Sequence, residues 1–257
     1  METESELKRL AHCEYWDERY ARAGPDEQVH EWFRSFDDLV PVFDRHVFRL
    51  REPKTAPKIL HLGSGDSTIP ADLSKCGYKN QLCVDFSAFV VELMSKRHED
   101  VGGITWIHAD VRQMDQIAST SIDVAFDKGT LDAMIHGSPW SPPDDVLDNT
   151  SRYIREVFRV LKSDATFIYI TYRQPHFIKP ILNCKGVEWD IEVDVLGGSG
   201  SSFDYHAFVL KKATASSVES SQAEVDNGSS GSPFASCLPV GESLSPGNKA
   251  EVEQEAG

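Results

Sequence analysis

The sequence predicts an α/β protein: a mostly parallel sheet with helices on both faces and an antiparallel hairpin at its C-terminal edge. Three observations predict it. Between residues 14 and 212 short apolar runs alternate with helical patterns, the first run ends in the glycine turn Gly63-Ser64-Gly65, and the last two runs are joined by Leu196-Gly-Gly-Ser-Gly-Ser-Ser202 with no helix between them. Strand-helix alternation implies parallel strands with crossovers on both faces. Two strands joined by a short Gly/Ser stretch pair antiparallel.

Taken in order, the polar start, Met1-Glu-Thr-Glu-Ser-Glu6, is expected to be part of a flexible N-terminus of residues 1–13. Phe36, Leu39, Val40, Phe43, Val47 and Leu50 repeat at helical spacing, with Pro41 marking that helix's first turn or a kink. Apolar strands are expected at 58–62, 80–85, 104–109, 121–126, 164–171, 187–194 and 203–211, the first five with helical patterns between them. The longest helix is expected over 144–162, opening behind Pro142-Pro143 with Asp144 or Asp145 as N-cap and burying Leu147, Ile154, Val157, Phe158 and Leu161. From 213 onward the composition shifts to Ser, Gly, Pro and Glu, as in Ser216-Ser-Val-Glu-Ser-Ser221 and Asn227-Gly-Ser-Ser-Gly-Ser-Pro233. Such a stretch buries too little surface to offset its ordering entropy, so 213–257 is read as a disordered acidic tail behind one domain at 14–212.

Bulk properties narrow the function. The 257 residues are 40% hydrophobic, enough for one sizeable core, and 41 acidic against 26 basic residues give a net charge of −15. Phosphates are repelled by such a surface, which argues against a general nucleic-acid binder; a basic partner is compatible with it, and plain solubility explains the acidity equally well. Five cysteines without Cys-x-x-Cys spacing argue against a disulfide framework, and Cys76 and Cys83 sit in apolar runs where burial is expected. No histidine has metal-ligand spacing, so no metal is expected. Neither a secretory signal nor a membrane-spanning run is present, and a cytoplasmic protein acting as a monomer is expected.

The chemistry is carried by Lys58-Ile-Leu-His-Leu-Gly-Ser-Gly-Asp-Ser67 followed by Leu82-Cys-Val-Asp-Phe-Ser87. Gly63 and Gly65 let the chain turn sharply and bring bare backbone to a ligand, and Asp85 falls at the tip of the next strand, where a carboxylate accepts ribose hydroxyls. A dinucleotide site wants a third glycine where this chain has Thr68, and Asp66 would repel a pyrophosphate. A cationic nucleoside ligand such as S-adenosylmethionine gains from that charge. Asp110, at the end of Trp106-Ile-His-Ala-Asp-Val111, is placed to meet an adenine while Val111 packs on the ring, unless Asp110 serves as a helix cap. Asp127 and Lys128, in Asp127-Lys-Gly-Thr-Leu-Asp-Ala133, put a carboxylate and an ammonium at the mouth of the fourth strand, with Asp127 as the candidate for orienting the substrate.

Glu14-Tyr-Trp-Asp-Glu-Arg-Tyr20, then Glu31-Trp-Phe33, the glycine turn and Asp127-Lys-Gly-Thr-Leu-Asp-Ala133 together resemble the seven-β-strand methyltransferases that modify lysines of translation elongation factor 1-alpha. The resemblance covers roughly 14–212, including Pro175-His-Phe177, and implies a Rossmann-like seven-stranded sheet, S-adenosyl-L-methionine as cofactor and elongation factor 1-alpha as partner. It assigns Trp16, Tyr20 and Trp32 to a lid over the cofactor, Gly63 to the loop beneath it, Asp85 with Phe86 to ribose and adenine, Asp110 with Val111 to adenine, and Lys128 to the strand-four end. Ser64 and Asp66 depart from the Gly-Cys-Gly-Asn often found in the family's loop. Two rival readings share this sheet: a small-molecule methyltransferase, and a cofactor-binding adaptor without catalysis.

Overall fold

The computed structural model describes residues 4–23, 31–197 and 204–213. Within them lies a seven-stranded sheet: β1 (Ile59–Leu62), β2 (Gln81–Asp85), β3 (Ile104–His108), β4 (Ile122–Lys128), β5 (Leu161–Thr171), β6 (Trp189–Leu196) and β7 (Tyr205–Lys212). The spatial order is β3-β2-β1-β4-β5-β7-β6. The first five strands run parallel, β7 pairs antiparallel with β5, and β6 closes the edge against β7. The expected sheet, its parallel sense and its terminal hairpin are therefore present. The order reverses between β1 and β4, which opens a crevice at their carboxyl ends.

Strand periodicity distributes the core over both faces. Ile59, Val124, Phe126, Ile168, Ile170 and Ala207 pack beneath α3 (Phe36–Phe43) and α4 (Ile69–Lys75), whose Leu39, Val42, Phe43, Ile69 and Leu73 are buried. Leu60, Leu62, Ala125, Phe167, Tyr169, Phe208 and Leu210 face the opposite way, against α7 (Asp144–Val160) and α8 (Pro175–Leu182). Three short helices complete the frame at the strand ends: α1 (Glu4–Arg9), α2 (Cys13–Ala23) and α6 (Thr130–Ala133), while α5 (Ala88–Arg97) connects β2 to β3.

Several local expectations are corrected. Helix α3 starts at a Ser35–Asp38 capping box, carries Pro41 in its interior, beyond the first turn, and passes into a π-helical turn at 44–48. Within that widened turn His46 and Val47 are buried and Leu50, beyond it, is exposed, while Val40, ahead of it in α3, is also exposed. The longest helix ends at Val160, and Leu161 opens β5 without an intervening loop. Its buried stripe is Val146, Thr150, Tyr153, Ile154, Val157 and Val160, so Leu147 points outward and Pro143, not Asp144 or Asp145, holds the cap position. Cys83 is buried as expected, whereas Cys76 is exposed. Residues 4–9, assigned to a flexible N-terminus, are helical. The expected tail, apart from Ala213, lies outside the described residues.

Candidate functional site

A cavity of about 280 Å³ occupies the crevice, and it is lined by all ten expected binding residues: Trp16, Tyr20, Trp32, Gly63, Gly65, Asp85, Phe86, Asp110, Val111 and Lys128. The β1 turn places the first of them. Gly63 (φ +58°) and Gly65 (φ +51°) are left-handed, and a Cβ would come within 2.2 Å of Thr130 Oγ1 at Gly63 and 2.7 Å of Tyr20 Oη at Gly65. Both positions require glycine, for conformation and for space. Between them Ser64 Oγ is buried and has no hydrogen-bond partner among the described residues.

Asp85 closes β2 beneath this turn. Its Oδ2 accepts the Gly65 N–H at 2.9 Å and its Oδ1 the Ser87 N–H at 2.9 Å, so no cation neutralises it directly. Burial pushes the carboxyl up to about 6, against the pull of those backbone donors. Lone pairs remain on both oxygens for further donors. Asp110 lies just beyond β3, where Arg112 grips it with Nε and Nη2 at 2.6 to 3.0 Å. Burial raises its pKa, but the Arg112 hydrogen bonds and charge outweigh that and hold it below the ordinary value. Val111 beside it is buried in the core on the α7 side.

The N-terminal helices form the roof. Trp16 Nε1 donates to Leu10 O at 2.7 Å, and Trp16 packs against Tyr20 and Trp32 with centroids 5.9 and 6.1 Å away. The Arg19 guanidinium stacks 5.0 Å above the Trp32 ring. Ser87 Oγ donates to Asp17 Oδ1 at 2.5 Å and Cys13 Sγ to Phe86 O at 3.1 Å, fixing α2 to the β2 end. Leu7, Leu10 and Ala11 also line the cavity, so the segment expected to be flexible is part of its wall.

Lys128 is buried at the β4 end, where its ammonium contacts Glu31 Oε1 at 2.5 Å and donates to Trp32 O at 2.7 Å. Burial lowers its pKa, opposed by Glu31. Glu31 in turn accepts Ser67 Oγ at 2.8 Å and the Thr68 N–H at 2.9 Å. One carboxylate thus ties the roof segment, the glycine turn and β4 together, a role the sequence reading did not give it.

Asp127 requires the main correction. It is fully buried, outside the cavity lining, and it accepts Thr130 N–H at 2.8 Å, Leu131 N–H at 3.0 Å and Tyr153 O–H at 2.6 Å. The residue that expectation placed toward the substrate anchors the start of α6 to α7. Side chains alternate along a strand, so at its end Asp127 turns into the core on the α7 side and Lys128 away from it. Of the two aspartates in this motif, Asp132 is the one that lines the cavity, and it accepts Thr171 Oγ1 at 2.7 Å, Tyr169 O–H at 2.8 Å and Arg173 Nε at 3.1 Å. Burial raises its pKa while Arg173 opposes the shift.

The remaining wall is aromatic. Phe33 is held at φ +61°, an uncommon conformation for a bulky side chain, and its ring lies 3.2 Å from where a Cβ on Gly129 would be. Tyr172 meets it edge-on at 5.5 Å and Tyr205 at 5.6 Å. Tyr172 and Arg173 follow β5 directly, so the rule that ligands bind at carboxyl ends of strands would have found them. Phe33 was visible in the sequence only within the Glu31-Trp-Phe33 string of the resemblance, and its placement in the wall depends on a backbone conformation.

The fit to a cationic nucleoside ligand is tested by these contacts. Of the four lining cations, Lys128, Arg112 and Arg173 are each bonded to a carboxylate and only Arg19, stacked on Trp32, is without a carboxylate among the described residues, which leaves little positive charge for a pyrophosphate. Asp85, the glycine turn, the unpartnered Ser64 hydroxyl and the apolar walls suit a ribose, an adenine and a positively charged tail.

Comparison with known proteins agrees. A methyltransferase domain family matches residues 60–169. The chain is 34% identical over 210 residues to EEF1A lysine methyltransferase 4 of Mus musculus, covering 80% of this chain and 77% of the relative. It is 30% identical over 209 residues to the eEF1A lysine and N-terminal methyltransferase of Danio rerio, of which it spans 28%. Among solved structures, a SAM-dependent methyltransferase from Leishmania major superposes with a TM-score of 0.54 at 12% identity, covering 81% of this chain and 91% of that one, which is a likeness of fold.

Proposed function

This chain belongs to the EEF1A lysine methyltransferase family and is an S-adenosylmethionine-dependent methyltransferase, and from that premise we propose that it methylates a lysine of translation elongation factor 1-alpha. The observation that carries the site assignment is convergence: ten residues from separate segments line one cavity, together with the aromatic side chains of Phe33 and Tyr172. In this reading Asp85 accepts the ribose hydroxyls and Phe86 and Val111 flank the adenine. Gly63 and Gly65 admit the backbone to the ligand, and Trp16, Tyr20 and Trp32 exclude water from above. Lys128 acts by holding Glu31 and Trp32 in place at the strand-four end.

When bound, the cofactor supplies a methyl group activated by a sulfonium. The protein's task is to align a lysine amine and keep it neutral. A lysine titrates near 10.4 in water, and an aromatic wall such as Phe33 and Tyr172 lowers that value once the bound substrate displaces water from it. An unpaired carboxylate would do the opposite, but Asp132 is already bonded to Arg173 and does not trap the ammonium form. No dedicated base is required, and Asp132 is a positioning residue that fixes Arg173 and Tyr169.

Four described thiols, Cys13, Cys76, Cys83 and Cys184, are free, in keeping with a cytosolic setting. No helix of the described residues is long and apolar enough to cross a membrane. Incubation with methyl-labelled cofactor and whole-cell lysate tests the function. We expect label on a protein of the mass of elongation factor 1-alpha. Label on a small metabolite would favour a small-molecule enzyme, and no label an inactive adaptor.

A further inference from the structure

Outside the cavity the least ordinary feature is Trp140, whose side chain is 81% exposed. It stands on a loop, residues 136–143, that carries Pro139, Pro142 and Pro143, so its backbone has few conformations to lose. The indole is propped from behind: Phe177 meets it edge-on at 4.8 Å and His176 lies 6.1 Å away, both from the first turn of α8. Leu147, also directed outward, is 45% exposed on the helix that follows the loop. Asp144, Asp145 and Asp148 are exposed on the same helix; Asp145 pairs with Lys8 at 3.5 Å and Asp148 with Arg152 at 4.0 Å in solvent, and Asp145 also lies 3.4 Å from the buried His136. Such pairs exchange partners at little cost.

Both flanks of this patch lead back to the cavity. Ala133 and Met134 line it just before the Trp140 loop begins, and Tyr172 and Arg173 line it just before His176 and Phe177. A supported, rigidly presented tryptophan bordered by acidic groups has the character of an interface anchor, since buried aromatics carry most interface energy and charge complementarity guides the partner.

We propose that Trp140, backed by Phe177 and His176 and bordered by Asp144, Asp145 and Asp148, is the docking surface for a basic segment of the protein substrate, seated so that its target lysine reaches the cavity. This rests on the protein-lysine reading above. The acidic border and the chain's net charge of −15 select a basic occupant, and the patch's continuity with the cavity-lining segments selects the substrate over an unrelated partner.

The test is steady-state methylation of elongation factor 1-alpha by the full chain, by Trp140→Ala, by Trp140→Phe and by the double variant Asp144→Asn/Asp148→Asn, with S-adenosylhomocysteine affinity and melting temperature measured alongside. We expect Trp140→Ala to raise KM for the protein about thirtyfold, a hot-spot-sized effect, with kcat, cofactor affinity and melting temperature nearly unchanged. Trp140→Phe should recover most of the loss, and the acidic double variant should flatten the salt dependence of KM. A Trp140→Ala chain with the parent's KM overturns the docking surface while leaving the function standing. A parent that sediments as a dimer, with Trp140→Ala as a monomer and KM unmoved, gives the patch to a second copy and also overturns it. A parent that leaves elongation factor 1-alpha unlabelled overturns the lysine reading and the docking surface together.

Discussion

Two aspartates at the ends of β2 and β4, on either side of β1, show how burial alone does not define a site. Asp85 is raised to about 6 by burial, yet it faces the cavity with lone pairs to spare. Ribose hydroxyls need its ionised form, so S-adenosylhomocysteine should bind with constant affinity above about pH 7 and more weakly as pH falls through about 6. Calorimetry across that range checks this, and Asp85→Asn should remove the dependence. Folding linkage runs the other way: the unfolded carboxyl ionises near 3.8 while the native one still holds its proton, so this group's contribution to stability falls as pH rises from about 4 to 6. Asp85→Ala should weaken cofactor binding by roughly 1.5–3 kcal/mol per charge-assisted hydrogen bond lost. Asp127, raised to about 7 by burial, is committed instead to two backbone N–H groups and the Tyr153 hydroxyl. Asp127→Ala should cost on the order of 2–4 kcal/mol of stability, read by thermal melting, because three buried donors lose their acceptor. A variant that melts like the parent but turns over slowly would return Asp127 to the substrate. Strand-end position was legible in the sequence for both residues. Which way Asp127 turns was not, because the expected strand stopped at Phe126, whereas β4 extends through Lys128 and its alternation sends Asp127 and Lys128 to opposite faces.

Elements were legible where their faces are periodic and opaque where packing overrides pattern. The buried strands β1, β4 and β5 announce themselves as apolar runs, whereas the helix at 36–48 changes to π-helical geometry and leaves Val40 and Leu50 outside. The largest misjudgement concerns α1. It is short and polar at its start, so nothing in its sequence predicts order, yet it supplies Leu7 to the cavity wall, and Leu10 just beyond it accepts the Trp16 indole N–H. Removing residues 1–12 should therefore weaken S-adenosylhomocysteine binding about tenfold, equivalent to ~1.4 kcal/mol, while the sheet's melting transition stays in place. Unchanged affinity would show that α2 and Trp32 form the roof without it. Glu31 belongs to the same lesson: it was visible only as part of a resemblance, and its link between the glycine turn and Lys128 emerges from tertiary contact.

At the scale of the whole molecule, alternating strands and helices predicted the doubly covered sheet, and the Gly/Ser junction predicted its hairpin. The junction could not reveal that β7, the second strand of that hairpin, is the one that pairs with β5. Deleting residues 214–257 should leave melting temperature and cofactor affinity nearly unchanged, since that composition offers too few apolar groups to join the core; a large loss of stability would show that the segment docks. The family and the cavity together make lysine methylation the central claim. Its most direct measurement is mass spectrometry of purified elongation factor 1-alpha after incubation with this protein and isotopically labelled S-adenosylmethionine. The account predicts a label on a lysine ε-nitrogen, lost when Asp85 is replaced by alanine at limiting cofactor. An elongation factor that binds no label while the protein still binds S-adenosylhomocysteine would contradict it.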